Sequence, residues 1–153
     1  MKKLCIIGVL VVSALGTLFH FVYDLVPFFV FPQNESIFEH MKLIVFPFLI
    51  YYLGYLPFIK EKRGELFASF ISAILLSMGF VIVSYYTYSG FIGKNMDAVN
   101  IILYFIGVAI GFVLIYKKKT LFSFSNSVIF LFILLTLVTL FSFWPPNLSF
   151  FIE

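Results

Sequence analysis

Charge is scarce in this chain: Asp, Glu, Lys and Arg make up 11% of its 153 residues, against 63% hydrophobic residues. Too little polar surface remains to cover a water-soluble globule, so a soluble enzyme domain is excluded and lipid is the expected solvent. Cysteine occurs once, as Cys5, which rules out an internal disulfide. That residue lies at the very start of the first apolar run, whereas a lipoprotein cleavage cysteine would follow the run. No serine sits in a G-x-S-x-G context, so nucleophilic triad chemistry has no support. Internal repeats and low-complexity linkers are also missing, which excludes a solenoid and a tethered second domain.

What the chain does have is apolar runs at residues 4–23, 43–59, 66–88, 98–116 and 121–144, parted by short charged or proline-containing breaks. About 20 apolar residues cross the hydrocarbon core as a helix, so the fold class is all-α: a polytopic transmembrane bundle of five spans in a single domain, 1–153. The second run can start as early as Ser36, with Pro47 and Pro57 inside it as tolerated kinks. A signal peptide is the rival reading of the first run, because Met1-Lys2-Lys3 and the small stretch Ser13-Ala14-Leu15-Gly16 form a passable cleavage pattern. Cleavage would leave four spans. The run continues past Gly16 to spanning length, which favours retention.

Orientation follows from the Lys and Arg of the short loops. With the N-terminus in the cytoplasm, Lys2, Lys3, Lys60, Lys62, Arg63, Lys117, Lys118 and Lys119 fall inside, and only Lys42 and Lys94 outside. This predicts a multi-pass protein of the cell membrane with an extracytoplasmic C-terminus. The net charge of +3 is then a set of anchors facing anionic inner-leaflet lipids, so the bilayer is the implied partner and nucleic acid is not.

Against this background one stretch stands out. Residues 34–42 carry two carboxylates, an imidazole and an ammonium, and both histidines and three of the seven acidic residues lie between His20 and Lys42. Ionisable groups at a bilayer edge are expensive and mark a site by default. If residues 35–42 are helical, Lys42, Glu35, Glu39, Ser36 and His40 share one arc, and Ile37, Phe38 and Met41 the opposite one. His20 and Asp24, four apart, share a face near the outer end of the first helix. The apolar connection 25–32 would hold the two polar helix ends together.

The expected ligand-binding set is therefore His20, Asp24, Asn34, Glu35, Ser36, Glu39, His40 and Lys42. His20, Asp24, Glu35, Glu39 and His40 offer the nitrogen and oxygen donors that suit zinc or a similar divalent ion, although their spacing is not H-E-x-x-H. For acid/base catalysis the residues are Glu35, Glu39 and His40, two carboxylates one helical turn apart beside an imidazole. A structural account covers part of the same stretch: Ser36-Ile37-Phe38-Glu39 fits a capping box, and Asn34 is an alternative N-cap.

The residues His20-Phe21-Val22-Tyr23-Asp24, then Pro32, Asn34-Glu35-Ser36, Glu39-His40, Lys42-Leu43 and Pro47, resemble the pattern H-F-x-Y-[DE] followed by P-x-N-E-S-x-W-E-H-x-K-L-x-x-x-P. That pattern belongs to a family of small bacterial integral membrane proteins of unknown function. Phe38 stands where the pattern has tryptophan, a change on the apolar arc. The resemblance implies a membrane fold and this location for the site, and it carries no activity over.

Elsewhere, Gly107 and Gly111 form a GxxxG in the fourth run, suited to close helix contact inside the chain or to a homo-oligomer or partner helix. Tyr85, Tyr86, Tyr88 and Trp144 end spans at the outer surface as an aromatic belt, and secondarily as walls of a cleft. Ser123, Ser125, Asn126 and Ser127 read as a helix start. The functional classes left open are an ion- or ligand-binding membrane protein, a metal-dependent or acid/base enzyme acting on a lipid-linked substrate, and an accessory subunit of a membrane complex.

Overall fold

The computed structural model describes residues 1–22, 30–59 and 62–151. Asp24, Lys60, Glu61, Glu153 and most of the apolar connection after the first helix lie outside the described residues. The described chain is all-helical, in the order α1 (Lys2–Val22), α2 (Ile37–His40), α3 (Lys42–Tyr55), α4 (Arg63–Ile92), α5 (Asp97–Tyr116) and α6 (Phe124–Phe143), with a 3-10 turn at Leu56–Phe58. Five segments are long and apolar enough to cross a membrane, α2, α3 and the 3-10 turn counting together as Ile37–Phe58.

The helix ends follow local chemistry. The Ser123 hydroxyl accepts from the Asn126 N–H at 3.3 Å and starts α6, as its serine-rich sequence implies. At the far end of α4, Gly93 adopts the left-handed conformation (φ 77°) and donates its N–H to the Ser89 carbonyl at 2.8 Å, a stop that glycine takes without strain. The fourth helix thus runs to Ile92, past the 66–88 run at both ends, because polar Ser89 and Lys-flanked Gly93 allow helix until a C-cap residue appears. Pro47 lies inside α3, and Pro57 opens the 3-10 turn that ends this span.

Helices α1, α3, α4 and α5 form the packed unit: α1 lies against α3 and α5, and α4 against α3 and α5. Helix α6 packs on α4 from outside, with Phe132 and Phe143 exposed. An apolar helix with so little of itself covered faces lipid. Lipid tails are as apolar as leucine, so the helices are held together by dispersion, close backbone approach and interhelical hydrogen bonds rather than by apolar burial. The Phe48 and Phe112 rings stack at 4.9 Å, and Phe70 meets Phe112 edge-on. The Tyr51 hydroxyl donates to the Leu4 carbonyl at 2.7 Å, tying α3 to α1, and Ser77 donates to the Gly107 carbonyl at 2.8 Å, tying α4 to α5.

The GxxxG of α5 is taken up by this second contact. A β-carbon at Gly111 would meet the Ser77 hydroxyl at 2.5 Å and the Ala73 carbonyl at 3.2 Å, and one at Gly107 would meet Val81 at 2.9 Å. Both glycines therefore serve the α4–α5 approach within one chain. On α1, Gly16 does the same for the Tyr104 hydroxyl, which donates to the Val12 carbonyl at 3.0 Å.

Candidate functional site

The site is built outward from the start of α2. Ser36 is the N-cap, with extended backbone and its hydroxyl accepting from the Glu39 N–H at 3.3 Å. Asn34 is not the cap; its side-chain oxygen accepts from the Ser36 N–H at 2.9 Å and shapes the turn before the helix. The expected capping box is completed differently from its sequence form. The Glu39 carboxylate reaches back to the N–H of Gln33 at 2.7 Å, because the Ser36 N–H is already engaged by Asn34. Helix α2 lasts one turn, and Glu35 precedes it, so the single polar arc expected over residues 35–42 is replaced by two groupings.

The first grouping is buried. The Lys42 ammonium pairs with the Glu39 carboxylate and donates to the Phe31 carbonyl at 3.2 Å. The second Glu39 oxygen lies 3.0 Å from the Ser142 hydroxyl of α6, which is also 2.6 Å from the Val138 carbonyl. Besides Lys42, this carboxylate is held by the Gln33 N–H in the loop before α2 and by Ser142 of α6. Alongside it, the Phe38 N–H donates to the Phe150 carbonyl at 3.0 Å, and the Phe38 ring packs against Phe141, Phe150 and Phe151. Phe38 thus fills an aromatic box closed by the C-terminal segment.

The second grouping faces a cavity of about 590 Å³ bounded by α1, α3, α4 and α5. His40 Nε2 lies 3.3 Å from Glu35 Oε2, and the His40 and His20 rings stand 5.3 Å apart. One ligand atom from each of His20, Glu35 and His40 lies within 4.8 Å of the other two. His40 Nδ1 is 2.9 Å from the Ser36 carbonyl, which can only accept, so Nδ1 carries the proton in that contact. The other nitrogen, Nε2, is then the one that can bind a cation or, when protonated, pair with Glu35. Ligands at 2.0–2.1 Å from a tetrahedral zinc ion stand about 3.3 Å apart, the separation already present between His40 and Glu35; His20, within 4.8 Å of both, has at most about 1.5 Å to close.

Of the residues that the sequence nominated, His20, Glu35 and His40 come together at the cavity, whereas Glu39, Lys42 and Ser36 are buried and held by one another and by the loop. Glu35 pairs with His40, and Glu39 with Lys42. Asp24 lies outside the described residues. Sequence reading missed the opposite wall, where Asn95, Asp97 and Asn100 line the cavity beside Tyr85. The Tyr88 hydroxyl contacts Asn100 and lies 2.9 Å from Asn95 Oδ1, and Asn100 Nδ2 donates to Asn95 at 2.7 Å. Three polar side chains opening an otherwise apolar span were the available signal. Ser142 gave none, being 103 residues from Glu39.

The chain belongs to a family of unknown function, DUF6512, whose model matches residues 1–153. No curated protein and no solved structure matches it.

Proposed function

We propose that this DUF6512 member binds a divalent cation of the zinc type on the outer face of the membrane, with His20, Glu35 and His40 as its protein ligands. The observation that carries the reading is the convergence of three donor atoms from separate segments within 4.8 Å, at the mouth of a cavity. Two features of His40 support it: a carbonyl fixes its tautomer, and its outer nitrogen already stands at a ligand-to-ligand distance from Glu35. Two imidazoles and one carboxylate form the donor set found in several zinc sites, and three protein ligands would leave one coordination position for water or another ligand. A cation held there would supply Lewis acidity at the membrane surface. The residues themselves bind and orient: Ser36 aims His40, and the turn made by Asn34 carries Glu35.

The outer placement rests on the charge pattern. His20 ends α1 and His40 ends α2, at the end of the bundle opposite Lys2, Lys3, Lys62, Arg63 and Lys117 to Lys119.

Elemental analysis of protein purified with added zinc, together with thermal unfolding in detergent, tests the reading. One zinc per chain is expected, with saturating zinc at 100 times Kd stabilising the fold by about 2.7 kcal/mol. His40→Ala and Glu35→Gln should each lose the metal while the apo protein still folds. Protein that takes up no zinc and shows no zinc-dependent shift would leave Glu35 and His40 as a plain ion pair.

A further inference from the structure

The cavity is far larger than an ion requires. A zinc ion and a bound water need a few tens of Å³, whereas about 590 Å³ lies within the range of small-molecule sites. Its lining is divided. One rim carries His20, Glu35 and His40; the floor is apolar, with Leu43, Ile44 and Val81. At the seam between α1 and α5, Phe21, Ile101 and Phe105 line the cavity and are at the same time among the exposed large apolar residues, at 72%, 55% and 41% exposure. Side chains that face a cavity and the outside of a membrane helix together mark a place where, among the described residues, the wall opens sideways to lipid. Below this opening the seam is closed by the Tyr104 hydroxyl bond to Val12 of α1.

From this geometry we infer that the cavity binds a single-chain lipid amphiphile with an anionic phosphate headgroup, the headgroup at the His20–Glu35–His40 cluster and the chain leaving between α1 and α5. The inference rests on the metal reading, because the cation supplies the attraction. A divalent ion with one carboxylate ligand keeps one positive charge and an open coordination position, which a phosphate oxygen fills. Asp97, exposed in the first turn of α5, also lines the cavity, on its α5 wall. The Asn95 and Asn100 carboxamides there give that wall polar groups for the glycerol hydroxyls of a lysophospholipid. A water-soluble anion would make no use of the apolar floor or of the lateral opening, whereas an amphiphile uses both.

The test is native mass spectrometry of the full chain, loaded with zinc in neutral detergent. Three probes are compared: oleoyl lysophosphatidic acid, glycerol 3-phosphate and inorganic phosphate. One lysophosphatidic acid per chain is expected, bound at least tenfold more tightly than either soluble phosphate. Ile101→Trp, which narrows the opening from the α5 side without touching the cluster, should weaken lipid binding at least tenfold while elemental analysis still finds zinc. Thr17, an exposed α1 residue that also lines the cavity, gives the second variant, Thr17→Trp, if the first is poorly folded. Equal binding of glycerol 3-phosphate, or lipid binding unchanged in both tryptophan variants, overturns the inference: the first indicates a free-anion site and the second lipid held on the outer surface. Zinc retained with no lipid bound removes this inference alone. Absence of zinc removes the metal reading and this one with it.

Discussion

Lys42 and Glu39, one helical turn apart, form an ion pair with 0% and 2% of their side chains exposed. Burying two charges is costly unless their remaining donors and acceptors are satisfied, and here the Phe31 carbonyl, the Gln33 N–H and the Ser142 hydroxyl meet them. Because those partners sit in the loop carrying Glu35 and in α6, the pair fixes the cavity rim without facing the cavity. The buried ion pair and the proposed metal ligands Glu35 and His40 are therefore different members of one short sequence stretch.

Lys42→Met should destabilise the protein by about 3–5 kcal/mol, since it leaves the Glu39 carboxylate buried without its cation. Lys42→Met combined with Glu39→Gln should recover part of that loss. Thermal unfolding in detergent of both single variants and the double variant gives the coupling; strictly additive losses would show that the pair does not act as a unit.

Ser36→Ala removes the hydroxyl that caps α2 and should lower stability by about 1 kcal/mol. Zinc affinity should be unaltered, because the Ser36 backbone carbonyl, and not its side chain, holds His40. Loss of zinc in this variant with unchanged melting would assign the hydroxyl to the metal site.

Gly111→Leu forces a branched side chain against Ser77 and Ala73 of α4. The expected result is a drop in melting temperature with the same oligomeric state, measured by light scattering of the detergent complex. A changed oligomeric state at unchanged stability would assign the GxxxG to contact between chains.

Topology is tested with reporters active only outside the cytoplasm. Fusions at Gly93 and after Trp144 should be active, and those at Gly64 and Lys118 silent. Activity at Gly64 would reverse the orientation and put the His20–Glu35–His40 cluster on the cytoplasmic side.

The sequence by itself determined the solvent and the scaffold. Five apolar runs of near-spanning length, with no polar surface to spare, leave helices as the one way to satisfy every backbone group in hydrocarbon. It also located the polar stretch after Pro32, since charge stands out against such a background. What it could not do was divide that stretch. Periodicity assigns a residue to a helix face only where a helix exists, and the Asn34 turn keeps Glu35 outside α2, which begins after the Ser36 cap. Adjacent Glu39 and His40 then diverge, the first towards α6 and the second towards α1. That division depends on partners 20 and 103 residues away, His20 for His40 and Ser142 for Glu39, whose positions only the packed tertiary structure decides.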